Sequence, residues 1–273
     1  MKRIVNLILV LLAPLASAAW AQQPMGKETA QSTRPVYYDT FNEMWLNPAK
    51  WLATGPWCSG GLECVREIQN GHLRLAVRDF GATDSDSGTQ FSESEVDFVN
   101  PNAVKSITAD VTLRSFSGLG CSTNDTDMTH TNVEIGGIFF NAGTGDPTDD
   151  VLAELIFGVD TTDPKTIHVG NWNGQSGWTE VGSYPIGAPL TATFAWDKAN
   201  HQFIALVKVK GEPGQGKMVA VPYSVSDTTP PASPYKQLSA QAYSLNCTSA
   251  KTFAQVEAFY DNVIINQPPP HAE

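Results

Sequence analysis

Three carboxylates occupy every second position in the stretch FSESEVDFV, residues 91–99: Glu93, Glu95 and Asp97. If the stretch is a β-strand, alternate side chains share a face, so the three form one row with neighbours about 6.6 Å apart. Glycoside hydrolysis needs two carboxyl groups about 5–5.5 Å or about 6.5–9.5 Å apart, depending on its stereochemical outcome. The spacing therefore permits glycosidase chemistry, but it equally permits cation binding or an ordinary solvent-facing strand.

Two further carboxylates occur singly in alternating stretches, Glu134 in NVEIGGIFF and Glu154 in LAELIFGV. Neither has a second carboxylate close by on its own strand, which a hydrolytic pair carried by one strand requires. If the protein is an enzyme, Glu93, Glu95 and Glu154 are the candidate catalytic carboxyl groups.

The stretch VGNWNGQSGW, residues 169–178, combines aromatic and amide side chains. An exposed indole can pack against the apolar face of a sugar ring, while asparagine hydrogen-bonds the hydroxyl groups. Asn171, Trp172, Asn173 and Trp178 are therefore the candidate ligand-binding residues. The competing interpretation is that each tryptophan ring caps one end of the fold.

The elements that would position these residues are short alternating strands. In SITADVTLRSF, for example, Ile107, Ala109 and Val111 share one face. About a dozen such runs are separated by Gly, Pro, Asn and Asp, and no long stretch has the apolar spacing of an amphipathic helix. The pattern predicts an all-β fold, a two-sheet antiparallel β-sandwich. We expect one domain over residues 36–266, between a disordered leader at 22–35 and a flexible tail at 267–273.

The first residues are typical of a secretory signal peptide, which we place at residues 1–21. Lys2 and Arg3 precede an apolar run too short to span a bilayer, and Ala19 and Ala21 form a small-x-small cleavage site. No other apolar run approaches spanning length, so we expect a secreted product, periplasmic or extracellular. Its formal charge would change from −11 to −13, with 15 basic against 28 acidic residues. Such a surface repels phosphate backbones, so nucleic acid is excluded as an expected partner.

Four cysteines are present, Cys58, Cys64, Cys121 and Cys247. In an oxidising compartment an even number predicts two disulfides, although four cysteines permit three pairings. Cys58 and Cys64 flank a short glycine-rich turn and are expected to pair locally, which leaves Cys121 with Cys247. A zinc site is the alternative, but the chain has no C-x-x-C and its five histidines are scattered.

Four fragments resemble, in the expected order, the concanavalin A-like lectin/glucanase superfamily of laminin G-like jelly rolls. They are DTFNEMWLNPAKW, NGHLRL, AWDKANHQF and FYDNVII. Their counterparts are that family's D-x-F…L-x-P-x-x-W opening, its D/N-G-x-L-x-L strand, its W-D…F hairpin and its closing F/Y-D-N-V strand. The resemblance frames almost the whole mature chain and implies a jelly-roll sandwich whose concave sheet often binds carbohydrate.

Many members of that superfamily also bind a structural calcium ion where the first and last strands meet. The matching residue here is Asp261, with backbone carbonyls near Asp39 as further oxygen ligands. The resemblance therefore implies calcium at Asp261, and no other cofactor is expected. The alternative is that Asp261 hydrogen-bonds the first strand without a metal.

The resemblance also bears on catalysis. Laminarinase-like members carry E-x-D-x-x-E or E-x-D-x-E near the middle of the domain, whereas the row here reads E-x-E-x-D and comes before the ITADVTL strand. We therefore interpret the row as the solvated polar face of an early strand. The sequence favours a non-catalytic protein that binds a polysaccharide or another glycan ligand. A divergent polysaccharide hydrolase or lyase on the same fold is the alternative.

Overall fold

A computed structural model describes residues 35–52, 63–122, 129–214 and 216–270. These residues form two seven-stranded sheets in which every neighbouring pair of strands is antiparallel. The all-β jelly-roll sandwich that the sequence predicts is therefore confirmed. The helical segments of the described chain are three short 3₁₀ turns, Pro101–Ala103, Pro147–Asp149 and Lys198–Asn200. None of its helices is long and apolar enough to cross a membrane.

The front sheet contains, in spatial order, β1 (Trp51–Leu52), β4 (Thr89–Phe98), β13 (Lys236–Leu245), β6 (His130–Asn141), β7 (Asp150–Asp160), β8 (Thr166–Asn173) and β9 (Gly177–Pro185). The back sheet contains β12 (Lys217–Pro222), β11 (Gln202–Val209), β10 (Leu190–Asp197), β5 (Ser106–Leu119), β14 (Phe253–Ile265), β3 (His72–Phe80) and β2 (Glu63–Gln69). Strands distant in sequence are neighbours in space, because β13 inserts between β4 and β6.

Alternation along each strand sets which side chains fill the space between the sheets. Ile107, Ala109 and Val111 of β5 are buried there, as their shared face predicts. Val96 and Phe98 of β4 enter the same core from the front sheet. The opposite face of β4, which carries the three carboxylates, therefore points away from the core.

A buried tyrosine, Tyr260, is one of the residues that connect the two sheets through hydrogen bonds. The hydroxyl of Tyr260 on β14 lies 2.7 Å from the carbonyl oxygen of Ser239 and 3.0 Å from that of Glu134. Ser239 and Glu134 are register partners on β13 and β6 of the front sheet. The back sheet thus contacts the backbone of the two central front strands directly, beneath the outward side chain of Glu134.

The amino-terminal segment is anchored to the last strand and to the core. Asp39 pairs with Val263 of β14, and its carboxylate accepts hydrogen bonds from the Phe41 amide and the Trp51 indole. The Trp51 ring packs against Phe41 and Phe98 in the core. These contacts fix β1 along the free side of β4.

One of the predicted disulfides is confirmed. Cys121 and Cys247 are bonded across 126 residues of sequence, with their Cα atoms 5.7 Å apart. The bond links the end of β5 in the back sheet to the end of β13 in the front sheet. The predicted partner of Cys64, Cys58, lies outside the described residues.

We expect the double substitution Cys121→Ser and Cys247→Ser to lower the free energy of unfolding by about 2–5 kcal/mol. The reason is that a cross-link closing so long a loop restricts the unfolded chain strongly. Urea denaturation measures the change. An unaltered midpoint and slope would contradict a stabilising role for this bond.

Candidate functional site

The outward face of the front sheet contains an open cleft of about 790 Å³. Its walls and floor come from β4, β13, β6, β7, β8 and β9, and from Tyr235 just before β13. The residues that line it are Glu93, Glu95, Asp97, His130, Asn132, Glu134, Leu152, Glu154, Ile156, Trp172, Trp178, Tyr235, Gln237, Gln241 and Tyr243. Five of these are carboxylic acids and four are aromatic residues other than histidine.

Strand register gathers the lining residues into rows that cross the sheet. One row runs from β4 to β9 through Asp97, Gln237, Gly136, Glu154, Trp172 and Trp178. A second runs through Glu95, Ser239, Glu134, Ile156, Gly170 and Glu180, and a third through Glu93, Gln241, Asn132, Gly158 and His168. The cleft therefore combines carboxyl groups from three strands with tryptophans from the β8–β9 hairpin.

The row of three carboxylates on β4 is not the plain solvated face that the sequence suggested. Glu93, Glu95 and Asp97 are each half-buried, and all three line the cleft. β4 comes early in the chain, but its neighbour in the sheet is β13, which lies near the carboxyl terminus. Position in the sequence therefore does not predict where β4 lies in the sheet. The three carboxylates therefore belong to the same site as Glu134 and Glu154.

Gln241 connects two of the carboxyl groups. Its amide nitrogen donates to Glu93 Oε1 at 2.8 Å and to Glu134 Oε2 at 2.7 Å. Gln237 donates a second hydrogen bond to Glu93 Oε1 at 2.9 Å. The Gln241 carbonyl in turn accepts from the Tyr243 hydroxyl at 2.8 Å. Neutral amides on β13 thus separate the acidic residues of β4 from that of β6.

Glu154 is different, because it lies in the cleft without such support. Its residue is only 6% exposed, and its carboxyl group has no hydrogen-bond partner in the part of the chain that the structure describes. Trp172 is its register partner on one side, and Gly136 on the other offers no side chain. A Cβ atom at Gly136 would overlap the Glu154 side chain and the backbone of β7.

Burial raises the pKa of every carboxyl group in the cleft. It is the main reason that the pKa of Glu154 is raised to about 8, and the charge of Glu93 adds to the effect. Burial and then the charges of Glu93 and Asp97 raise the pKa of Glu95 to about 7. Asp97 follows the same pattern, with its pKa raised to about 6 by burial and by Glu93. Several of these groups therefore retain protons near neutral pH.

The two most central acids are coupled. Burial raises the pKa of the Glu134 carboxyl well above its usual range, and the charges of Glu154 and Glu93 raise it further. Glu134 and Glu154 are diagonal neighbours on adjacent strands, which places their Cβ atoms about 7–8 Å apart or slightly less. Two carboxyl groups this close in a buried site do not both ionise readily, so one of them keeps a proton.

Two tyrosines complete the polar wall. Burial and the neighbouring carboxylates raise the pKa of Tyr235 and of Tyr243 above its usual range, so both phenols stay protonated. The ring of Tyr243 stacks on His130, with centroids 4.5 Å apart and planes 11° apart. The Tyr235 phenol can therefore act as a hydrogen-bond donor to a ligand, whereas the single donor of Tyr243 is directed at Gln241.

The β8–β9 hairpin presents the tryptophan pair. Its turn is closed by Asn173, whose side-chain oxygen accepts from the amides of Gln175 and Ser176 at 3.0 and 2.8 Å. Trp172 and Trp178 face each other across the hairpin and both line the cleft. Trp178 remains 46% exposed. Its ring lies over Gly170, where any Cβ atom would overlap the indole.

The two asparagines named with these tryptophans do not line the cleft. Asn171 is fully buried and donates to the carbonyl of Phe203 on β11 at 3.2 Å. Asn173 is also fully buried, because it closes the turn. Both lie at odd positions of β8 and face the sandwich interior, opposite Trp172. Of the four candidate ligand-binding residues, only Trp172 and Trp178 belong to the cleft.

Asp261, the expected calcium ligand, lies on β14 of the back sheet, whereas the cleft lies on the outward face of the front sheet. Its carboxylate accepts from the amide and side chain of Asn262 at 2.7 and 2.9 Å and lies 3.9 Å from His72 Nε2. Among the described residues, one group of three potential ligands converges, Asp86, Cys121 and Cys247, and two of those form the disulfide. Calcium at Asp261 stays a prediction.

No protein-family model matches the chain, and no curated protein sequence matches it. Similar solved structures include winged bean acidic lectin in complex with methyl-α-D-galactose, at 14% identity and a TM-score of 0.35, covering 76% of this chain and 94% of the lectin. A mutant of alginate lyase Aly36B in complex with alginate tetrasaccharide has 13% identity and a TM-score of 0.35, with 78% and 88% covered. Bacteroides ovatus xyloglucan PUL GH43B has 11% identity and a TM-score of 0.43, with 94% of this chain and 42% of that one covered. Likenesses this distant carry no argument about function.

The raised pKa values predict a stability that falls as the pH rises. The folded state binds these protons more tightly than the unfolded chain does. Their contribution to the free energy of unfolding is therefore complete below the ordinary carboxyl pKa of about 4. It is lost as the pH passes the folded pKa values of about 6 to about 8 for Asp97, Glu95 and Glu154. We expect the melting temperature to decrease between about pH 5 and about pH 7.

The variant Glu154→Gln isolates this effect, since it keeps the shape and removes the titration. Its melting temperature should decline less steeply than that of the wild type over the same range. Above about pH 7 the buried Lys236, whose pKa burial lowers to about 7, acts in the opposite direction, so the comparison stops there. A wild-type melting temperature that rises between about pH 5 and about pH 7 would contradict the account.

Proposed function

We propose that the cleft binds a carbohydrate chain and that the protein is a secreted, carbohydrate-binding jelly-roll protein. The observation that carries the proposal is the tryptophan pair of the β8–β9 hairpin, placed beside a floor of carboxyl, amide and phenol groups. A carbohydrate chain has apolar ring faces and many hydroxyl groups, and it needs both kinds of surface at once.

The aromatic side of the cleft suits a sugar ring. Trp178 is 46% exposed, and its ring lies over Gly170 and lines the cleft, so part of the indole surface is accessible to a ligand. Trp172 stands opposite it and forms the adjoining wall. Such rigid aromatic surfaces contribute binding energy with little loss of side-chain entropy.

The polar side suits hydroxyl groups, which both donate and accept hydrogen bonds. The protonated carboxyl groups and the phenol of Tyr235 supply donors, and the ionised carboxylates and the Tyr243 oxygen supply acceptors. The cleft is open along the sheet, so a chain longer than one sugar can lie across its rows. Secretion accords with the disulfide between Cys121 and Cys247, a bond that persists in oxidising compartments.

Glycoside hydrolysis is the second candidate function, and one observation favours it. Glu134 and Glu154 are diagonal neighbours with Cβ atoms about 7–8 Å apart or slightly less. From that spacing their carboxyl groups can reach the separation of about 5–5.5 Å or about 6.5–9.5 Å that a hydrolytic pair needs. Glu154, with a pKa raised to about 8, would keep the proton that a general acid donates to the leaving oxygen. The base would be the partner carboxyl of the pair once it has lost its proton, activating a water molecule.

We expect Trp172→Ala and Trp178→Ala each to weaken glycan binding by at least about tenfold, which is about 1.4 kcal/mol. The reason is that each change removes one aromatic wall of the cleft. Isothermal titration against a panel of soluble glycans measures the loss. Trp45→Ala is the matched control, because Trp45 is 78% exposed and lies outside the cleft.

Equal losses in the Trp45 variant would place binding elsewhere on the surface. Absence of binding to every glycan in the panel by the wild-type protein would contradict the proposed function itself.

The hydrolase candidate is tested by the release of reducing ends from the same panel. If the wild type releases them, Glu134→Gln and Glu154→Gln should each reduce the rate by at least about a hundredfold, the usual contribution of one general acid or base. A wild type that binds a glycan but leaves it uncleaved would exclude hydrolysis of that glycan. Unchanged rates in both variants would exclude this pair as the catalytic groups.

A further inference from the structure

The charge of the cleft is one-sided. Its described lining has five carboxylic acids, and its one basic residue is His130. Arg66 on β2 lies nearby, donating to the Glu95 carbonyl at 3.2 Å, but it is not part of the lining. The internal segments outside the described residues, 53–62, 123–128 and 215, contain no lysine, arginine or histidine in their sequence. A polymer of uronic acids would therefore meet net repulsion from the ionised carboxylates of the cleft.

Glu154 indicates which kind of ligand group this acidic cleft would bind. The residue is only 6% exposed, it lines the cleft, and its carboxyl group has no hydrogen-bond partner among the described residues. A buried carboxylate without a partner is strongly disfavoured, and an ammonium group is the partner that would satisfy it. Neutral hydroxyl groups can also donate to this carboxylate, but only an ammonium group brings a charge that neutralises it.

We propose that the cleft selects a polysaccharide that carries free ammonium groups, a glucosamine-type polymer, with an ammonium group bound by Glu154 beside Trp172. The proposal rests on the proposed carbohydrate-binding function and names its substrate class. The tryptophan pair would pack against the sugar rings, and the carboxyl groups would bind the positively charged ammonium groups of the ligand. Tryptophan faces also attract cations, so the two parts of the site reinforce each other.

A bare metal ion fits the cleft less well. Calcium needs six to eight oxygen ligands that converge on one point. Among the described residues, no three carboxylate or histidine side chains of the cleft converge on one point. The one convergent group of potential ligands lies outside the cleft and includes the two disulfide cysteines. The acids are instead distributed along the rows, which suits charges spaced along a polymer.

Binding of ammonium groups would release protons. The charged and titratable groups that face one another in the cleft are Glu93, Glu95 and Asp97 of β4, His130 and Glu134 of β6, Glu154 of β7, and Tyr235 and Tyr243 beside and on β13. A bound positive charge favours the ionised carboxylates and lowers their pKa values. Groups that are protonated in the free protein would therefore lose protons to the buffer on binding.

The test is isothermal titration of the full chain at about pH 6, where the cleft carboxyls retain protons and amino-sugar ammonium groups are charged. The probes are three hexamers on one β-1,4-linked backbone: glucosamine, N-acetylglucosamine and glucose. We expect the glucosamine hexamer to bind at least about tenfold more tightly than the other two. Repeating the titration in buffers of different ionisation enthalpy should show release of about one proton or more for that hexamer.

The variant Glu154→Gln should lose at least about tenfold in affinity for the glucosamine hexamer and release fewer protons, and this loss should exceed any loss for the glucose hexamer. Glu212→Gln is the matched control, because it removes one acidic charge from an exposed turn outside the cleft. Thermal melting of both variants verifies that each is folded. A loss in the Glu212 variant equal to that in the Glu154 variant would show that net charge alone is responsible, which overturns the proposal.

Three further results would overturn it. If the acetylated or glucose hexamer binds as tightly as the glucosamine hexamer, selection for ammonium groups is wrong, although carbohydrate binding itself stands. If hexalysine binds as tightly as the glucosamine hexamer, the cleft recognises positive charge without the sugar. If no hexamer binds and the wider glycan panel also fails, the proposed function fails together with the inference.

Discussion

The register of β4 against β13 is the constraint on which the cleft depends. Val96 and Phe98 must enter the core, so strand alternation places Glu93, Glu95 and Asp97 on the opposite face. A slip of one residue would bury the three carboxylates and expose the apolar side chains. The same register aligns Glu95 with Ser239 and Glu134, at the point where Tyr260 of the back sheet contacts the backbone. Core packing therefore fixes the position of the acids.

The cleft is arranged at a cost in stability. Five partly or almost fully buried carboxyl groups lie on one sheet face. Burial raises the pKa of all five, and repulsion between carboxylates adds to the effect at every one except Glu93. Gln241 and Gln237 reduce this cost by donating to Glu93 and Glu134. Glu154 receives no such donor from the described residues. Sites that store unfavourable interactions of this kind are typically functional ones, since packing alone would not retain them.

Local alternation was sufficient to predict the fold class, and several strands, such as β5 and β11, could be read from it directly. It was not sufficient for the cleft. Gln237, Gln241 and Tyr243 belong to β13, whose polar face of glutamines and serine has no distinctive motif. Glu134 and Glu154 form a pair only because β6 and β7 are adjacent, and a search for two carboxylates on one strand does not find them. The sequence order of β4 was misleading for the same reason, since pairing partners are set by topology.

The prediction of the ligand-binding residues on β8 could have been more accurate from the sequence alone. Asn171, Trp172 and Asn173 are consecutive, so in a strand Trp172 must face opposite to both asparagines. Their composition suggested one common binding site, whereas strand alternation places Trp172 on one face of the sheet and the two asparagines on the other. Turn chemistry explains Asn173, whose side chain closes the hairpin before Gly177, a residue with φ of +72°. The asparagines therefore shape the hairpin, and the tryptophans alone face the cleft.

The measurement that tests the central claim most directly is a nuclear magnetic resonance titration of the indole N–H signals with the glucosamine hexamer. The account predicts that the signals of Trp172 and Trp178 shift on binding. The signals of exposed Trp45 and buried Trp51, both outside the cleft, should remain in place. Shifts confined to Trp45, or binding detected by heat with no change at Trp172 and Trp178, would contradict the claim that the front-sheet cleft is the carbohydrate site.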